Sequence, residues 1–124
     1  MIVHLDTSVL ISAIGGPAGP ALRRVIADRH RLQVSAVVLY EWLRGPRTKA
    51  ELEFQDALFP SEEAIAFGAA EAHTAALLYS GVKRARGREI DLAIAACALV
   101  QNATLWTMNQ RDFADVPGLR LFST

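Results

Sequence analysis

The chain has few cysteines and histidines and no excess charge of either sign. Its 124 residues include one cysteine, three histidines, and 13 basic against 13 acidic side chains, so the formal net charge is zero. Cys97 cannot form an internal disulfide, and its apolar run IAACALV predicts a buried, unreactive thiol. Bulk charge does not indicate a strongly basic nucleic-acid-binding protein, although a local basic patch is compatible with the composition.

Long hydrophobic runs are also missing. No uninterrupted apolar stretch approaches the roughly 20 residues that cross a membrane. The segment MIVHLDTSVLISAI lacks a basic start, and Asp6 interrupts its apolar run, which argues against a signal peptide. We therefore expect a cytoplasmic protein without a membrane partner, folded as a single domain over residues 1–124.

Short apolar segments alternate with amphipathic ones along the chain. The predicted strands are 2–5, 32–35, 104–107 and 119–122, with a further short strand near 58–59. The predicted helices are 7–14, 20–30, 36–44 (capped by Ser35), 48–58 (capped by Thr48), 62–80 (capped by Ser61) and 90–102. This alternation predicts an α/β fold, a three-layer α/β/α sandwich with a mostly parallel central sheet.

Three of the acidic residues stand in apolar surroundings. Asp6 ends the strand IVHL, Glu41 is the only charge within SAVVLYEWL, and Asp91 is the only charge within IDLAIAACALV. A carboxylate in an apolar layer loses several kcal/mol of hydration unless it is compensated, and no basic residue lies within these runs. The compensation is either a distant basic side chain or a metal ion. Taken singly, each acid also fits a structural role: a helix cap, a snorkelling side chain and a partner of the helix dipole, respectively.

All three acids are expected at one edge of the sheet, where functional groups gather at the carboxyl ends of parallel strands. Clustered carboxylates repel one another, so such a pocket favours a bound cation. The histidines and Cys97 show no ligand spacing, so zinc is not indicated, whereas an all-oxygen site suits Mg²⁺ or Mn²⁺. We expect His4 to be a packed histidine, and Trp42 and Trp106 to be core or interface residues.

Other phosphate-handling folds fit the sequence less well. A dehalogenase-like phosphotransferase needs a second aspartate two residues after the first, and that position is Ser8. A receiver domain needs paired acids before its acceptor strand and a lysine after its last strands, and neither is present. The glycine-rich segment GGPAGP, residues 15–20, matches neither the Walker nor the dinucleotide-binding pattern.

Four motifs together resemble the PIN-domain ribonucleases. In order they are VHLDTSVLISAI, SAVVLYEWLRG, RGREIDLAIAACAL and TLWTMNQRDFADVPGLRLF, and they span essentially the whole chain. Each motif alone is weak, but four in order at suitable spacing are specific. Their order and the chain length resemble the VapC-type toxins of type II toxin–antitoxin systems.

The resemblance implies a PIN-like fold and an endoribonuclease that depends on Mg²⁺ or Mn²⁺ and cleaves single-stranded or looped RNA. It also implies a homodimer and a small antitoxin whose C-terminal segment blocks the acidic groove. The implied catalytic acids and metal ligands are Asp6, Glu41 and Asp91, with pocket support from Thr7, Ser8, Thr107 and Asn109, and Asp112 is a further candidate catalytic acid. The alternative is a non-catalytic RNA- or partner-binding protein that keeps the fold.

Two segments keep two interpretations each. In the basic loop 82–89, Lys83, Arg84, Arg86 and Arg88 either contact RNA phosphates or only solubilise the surface. After the strand TLWT, Asn109 is placed to reach the pocket where many relatives have aspartate, and Asp112 follows three residues later. Asp112 is either a fourth acid of the site or part of a capping box with Asn109.

Overall fold

The fold is an α/β/α sandwich around a parallel sheet, described by a computed structural model that covers residues 1–124. We number the strands and helices in chain order. The strands are β1 (Ile2–Leu5), β2 (Arg31–Gln33) and β3 (Thr104–Trp106). The helices are α1 (Thr7–Ala13), α2 (Gly19–Ala27), α3 (Ala36–Arg44), α4 (Lys49–Leu58), α5 (Ala69–Gly81) and α6 (Glu89–Val100). The predicted fold class is confirmed.

The sheet places β1 at its centre. Its order is β2-β1-β3 and both pairings are parallel, with Val3 opposite Leu32 on one side and Thr104 on the other. Single parallel bridges, Ser35–Ile65 and Leu105–Leu121, extend the two outer edges. Because all strands run the same way, the residues that follow β1 and β3 meet at one edge.

The core forms from the apolar faces of both layers. It includes 25 buried residues, among them Val3, Leu5, Val38 and Trp42, all fully buried. Helix α6 contributes almost its whole length because it lies between the sheet and α5, which explains its near-continuous apolar sequence. None of the helices combines the length and the apolar character that crossing a membrane requires.

Several local predictions are confirmed. The Ser35 hydroxyl accepts from the backbone N–H of Val38 and caps α3, and Thr48 forms a capping box with Glu51 at the start of α4. Cys97 is fully buried, and burial raises the pKa of its thiol to about 11. The remaining core predictions concerned His4, Trp42 and Trp106, all of which are buried.

The region 58–68 was predicted wrongly. The strand expected near 58–59 is the end of α4, and the helix expected over 62–80 begins only at Ala69. Ser61 starts a single 3₁₀ turn, Ser61–Glu63, and caps no helix. The reason is that Ile65 pairs with the sheet: its N–H donates to Val34 O (2.9 Å), and its carbonyl accepts from Ala36 N (2.8 Å). These edge hydrogen bonds hold Ile65 extended and override the helix preference of the surrounding sequence.

Two other segments are shorter than predicted. The helix expected over 20–30 ends at Ala27, since Arg29 adopts a left-handed conformation with φ of 62°. The strand expected over 119–122 is reduced to the bridge at Leu121, where Leu105 N donates to Arg120 O and Phe122 N donates to Leu105 O. This last segment nevertheless lies beside β3, as its strand prediction required.

Candidate active site

The Asp6 carboxylate is fixed where β1 ends. It occupies the N-cap position of α1 but makes no side-chain capping bond, so the capping interpretation of Asp6 is wrong. One of its oxygens, Oδ2, instead accepts from Ser8 Oγ (2.8 Å) and from Thr107 Oγ1 (2.7 Å). Thr107 directly follows β3, so these bonds join the carboxyl ends of two neighbouring strands.

The two hydroxyls are themselves oriented by backbone N–H groups. Met108 N donates to Ser8 Oγ and Asn109 N donates to Thr107 Oγ1, both at 3.0 Å. Each hydroxyl therefore directs its own proton towards Asp6 Oδ2. The other carboxylate oxygen of Asp6, Oδ1, receives no hydrogen bond from the protein and is the atom left to bind a cation.

Glu41 reaches the same region from α3. Thr7 Oγ1 donates to Glu41 Oε1 at 2.6 Å, which ties the glutamate to the residue next to Asp6. On the outer side, Arg44 Nη2 donates to Glu41 Oε2 at 3.2 Å. Of the two compensations left open for Glu41, a basic side chain is present, because Arg44 lies just outside the apolar run and one helical turn further along α3. The Glu41 side chain is one-fifth exposed, so this surface pair contributes little to stability.

Asp91 projects from the first turn of α6. Burial is the largest influence on its carboxyl group and raises its pKa to about 6; the charges of Asp6, Asp112 and Glu41, in that order, also raise the pKa, and Arg88 lowers it. These electrostatic influences indicate that four acids from separate parts of the sequence lie near one another.

The acids lie near one another but do not form a closed cluster. No group of three or more histidine, cysteine, aspartate or glutamate side chains is already close enough to hold a metal ion. Mutual repulsion favours separated carboxylates when no cation lies between them. The donor set, made of carboxylate oxygens with hydroxyl support and no thiolate or imidazole, fits a hard divalent cation such as Mg²⁺ or Mn²⁺.

The segment after β3 excludes one of the two interpretations of Asp112. Asn109 precedes a 3₁₀ turn, Gln110–Phe113, but makes no side-chain capping bond, and only the backbone bond from Asp112 N to Asn109 O (3.0 Å) joins the two residues. The capping-box interpretation is therefore wrong. Both side chains are exposed, and Asp112 acts on Asp91 through its charge.

The basic loop divides into two kinds of residue. Lys83, Arg84 and Arg86 are exposed and have no hydrogen-bonded side-chain partner. Arg88 instead forms an ion pair with Asp115, with 2.7 Å between Arg88 Nη2 and Asp115 Oδ1. This contact spans 27 positions, so no local sequence signal could have revealed it.

The raised pKa of Asp91 predicts how stability depends on pH. The carboxyl binds its proton more tightly in the folded state, with a pKa of about 6 against an ordinary value of 3.8, so folding is penalised as pH rises through 6. In metal-free buffer, Asp91→Asn is therefore expected to increase the free energy of unfolding at pH 8 by on the order of 1 kcal/mol, a value reduced for solvent screening. Chemical denaturation at pH 8 and pH 4.5 measures this gain, which shrinks at the lower pH.

Glu62→Gln, which neutralises an exposed acid of the 3₁₀ turn 61–63, is the matched control and should show no such gain. An Asp91→Asn variant that is less stable than wild type at pH 8, or equally changed at both pH values, contradicts the raised pKa of Asp91.

Comparisons with known proteins agree with this architecture. A chain in the crystal structure of VapBC2 from Rickettsia felis bound to a DNA fragment from their promoter has 26% identity and a TM-score of 0.78, with 98% of each chain covered. A chain of DNA-bound VapBC from Salmonella typhimurium has 20% identity and the same TM-score, over 98% of this chain and 97% of that one. A chain of VapBC-5 from Mycobacterium tuberculosis has 22% identity and a TM-score of 0.65, over 97% and 98%.

No curated protein sequence matches the chain. The family model described as PIN domain matches residues 3–119, which is nearly the whole length and includes every residue of the acidic pocket. The chain therefore belongs to the PIN-domain family.

Proposed function

We propose that this protein is a VapC-type toxin, a metal-dependent endoribonuclease that hydrolyses phosphodiester bonds in single-stranded or looped RNA. The observation that carries the proposal is the convergence of Asp6, Glu41, Asp91 and Asp112 on one pocket, where the pKa of Asp91 rises to about 6. A cluster of like charges is unfavourable on its own, and a divalent cation would neutralise both the carboxylates and the charge of a bound phosphate.

The residues proposed to hold Mg²⁺ or Mn²⁺ are Asp6, Glu41 and Asp91, with Asp112 as the fourth acid. The chemistry that such an ion supplies when bound is activation of water and neutralisation of charge on the phosphate. Ser8 and Thr107 hold Oδ2 of Asp6 and leave Oδ1 free. Thr7 orients Glu41 through its 2.6 Å hydrogen bond. Because Thr7 directly follows Asp6, this bond couples the positions of the two proposed metal ligands, Asp6 and Glu41.

RNA is proposed to approach along the exposed part of the basic loop. Lys83, Arg84 and Arg86 are available for phosphate contacts, whereas the guanidinium of Arg88 is already bound to Asp115. Trp42 and Trp106 are buried and offer no surface for base stacking. Single-stranded or looped RNA fits best, because its backbone can bend into a pocket at a sheet edge.

The proposed partners follow from the relatives. The similar structures include VapBC complexes bound to DNA and a toxin–antitoxin complex from Klebsiella pneumoniae. We propose that a small antitoxin, encoded next to this protein, covers the acidic groove and that the toxin forms a homodimer in the cytoplasm as a single PIN domain. An adjacent reading frame for a small protein is expected, and its absence weakens the toxin role without affecting the nuclease role.

A second candidate is a non-catalytic RNA- or partner-binding PIN protein. The observation that favours it is that no three acids already form a metal cluster. Cleavage of RNA that depends both on the cation and on the acids distinguishes the nuclease from this alternative.

Substitution of the central acids tests the nuclease directly. Asp6→Asn and Asp91→Asn are expected to fold and to lose on the order of 100-fold or more of the Mn²⁺-dependent cleavage, because loss of even an outer-shell metal contact costs roughly 10–100-fold. The measurement is cleavage of total RNA with mapping of the ends, beside Glu62→Gln as control. Equal cleavage by wild type and both variants would identify a contaminating nuclease and overturn the proposal.

Substitution of Asp112 separates a fourth acid from a structural residue. Asp112→Asn keeps the shape of the side chain and is expected to weaken Mn²⁺ binding about tenfold, while the free energy of unfolding changes by less than about 0.5 kcal/mol because no cap is lost. Asn109→Asp adds an acid nearby and serves as the matched comparison. The role of Asp112 is refuted if its substitution leaves Mn²⁺ affinity unchanged in calorimetry.

A further inference from the structure

Two of the proposed metal-site acids, Asp91 and Asp112, lie on separate segments that do not belong to the same helix or strand. Asp91 belongs to the first turn of α6, and Asp112 belongs to the 3₁₀ turn 110–113 beyond β3. The Asp112 side chain makes no hydrogen bond of its own. Its distance from Asp91 therefore depends on whatever fixes the backbone of residues 109–116 against the start of α6.

Phe113 and Val116 anchor this segment in the core, and Arg88 is the polar residue that ties its backbone to the start of α6. Its Nη2 donates to the backbone carbonyl of Asp112 (2.9 Å) and to Asp115 Oδ1 (2.7 Å), and its Nη1 donates to Asp115 Oδ2 (3.0 Å). A third anchor is the Lys83 carbonyl, 3.2 Å from Nη1. The planar guanidinium thus binds both ends of the segment 112–115. Its contact with the Asp115 carboxylate is bidentate, the geometry that an arginine–carboxylate pair favours.

The backbone of Arg88 is itself held by hydrogen bonds. Arg88 occupies the N-cap position of α6; its N–H donates to Ala85 O, and its carbonyl accepts from Leu92 N, both at 2.9 Å. The preceding Gly87 adopts φ of 86°, and both carboxylate oxygens of Glu89 accept from its N–H. Since Asp91 lies three residues further along the same helix start, a fixed Arg88 backbone fixes Asp91 as well.

We propose that Arg88 is a positioning residue that holds Asp112 at the distance from Asp91 at which both acids serve one cation. The inference rests on the proposed metal site and assigns Arg88 a different role from the exposed arginines of its loop. Arg88 acts through Asp112 and contacts neither the RNA nor the ion.

An electrostatic role and a positioning role of Arg88 predict opposite changes in cation affinity when Arg88 is replaced. Removing a positive charge beside an acidic pocket strengthens cation binding if charge alone matters. Releasing the segment 109–116 weakens cation binding, because the fourth acid is no longer held in place. The direction of the change in affinity therefore identifies the role.

The experiment measures Mn²⁺ binding to the full chain by titration calorimetry. Arg88→Ala is expected to weaken Mn²⁺ affinity about tenfold, the effect typical of losing a residue that orients a ligand. Arg88→Lys and Asp115→Asn weaken the contacts between Arg88 and the segment 112–115 without removing all of them. Each should therefore give a smaller loss of Mn²⁺ affinity. They also test the inference if Arg88→Ala fails to fold. Arg86→Ala is the matched control: it removes the same charge from the same loop and should bind Mn²⁺ as well as or better than wild type.

A second measurement requires no metal. Amide hydrogen exchange of residues 109–116 in the metal-free protein is expected to speed up in Arg88→Ala and to stay unchanged in Arg86→Ala. In an Asp112→Asn background, Arg88→Ala should cause little further loss of Mn²⁺ affinity, because the residue through which it acts has already lost its charge.

Unchanged or tighter Mn²⁺ binding by Arg88→Ala overturns the inference, as does an equal loss of affinity with and without Asp112→Asn. If wild type binds Mn²⁺ and cleaves RNA while the Arg88 variants match it, only the positioning role fails. If wild type itself binds no Mn²⁺, the proposed metal site fails and the inference fails with it.

Discussion

The hydrogen bonds that Ser8 and Thr107 donate to one oxygen of Asp6 are the contacts on which the acidic pocket depends. The Thr107–Asp6 bond, together with the bond from Met108 N to Ser8 Oγ, joins the residues after β1 and β3, which lie about a hundred positions apart in the sequence. Backbone N–H groups of residues 108 and 109 orient the two hydroxyls in turn. A buried carboxylate is thereby satisfied on one side and left free on the other, which is the arrangement that a cation ligand requires.

The parallel sheet explains why the remaining acids arrive at the same place. Because β1 and β3 run side by side in one direction, the chain that follows each strand emerges at a common edge. Helix α6 packs against β3, and α3 packs against α1 and α6. The cost of the arrangement is repulsion and lost hydration, which appear in the raised pKa of Asp91. Arg44 and Arg88 offset only part of the repulsion between the carboxylates. A divalent cation bound between the acids would remove most of it.

The sequence predicted what depends on local patterns. The strand IVHL, the Ser35 and Thr48 caps and the isolated acids could be read directly, because each is determined by neighbours within a few positions. The segment 58–68 could not, because Ile65 is held extended by a strand distant in the sequence. The Asn109–Asp112 spacing suggested a cap, yet the side chains make none. The ion pair of Arg88 with Asp115 joins residues without any local signal, so it became visible only in three dimensions.

We propose that Asp6, Glu41, Asp91 and Asp112 share one site for a divalent cation. The most direct test is an NMR titration of the Asp91 carboxyl carbon in the metal-free protein, repeated with saturating Mg²⁺. The account predicts a pKa of about 6 without Mg²⁺ and a clear decrease when Mg²⁺ is present, because the ion favours the charged carboxylate. A pKa near the ordinary value of 3.8 that does not respond to Mg²⁺ would contradict it.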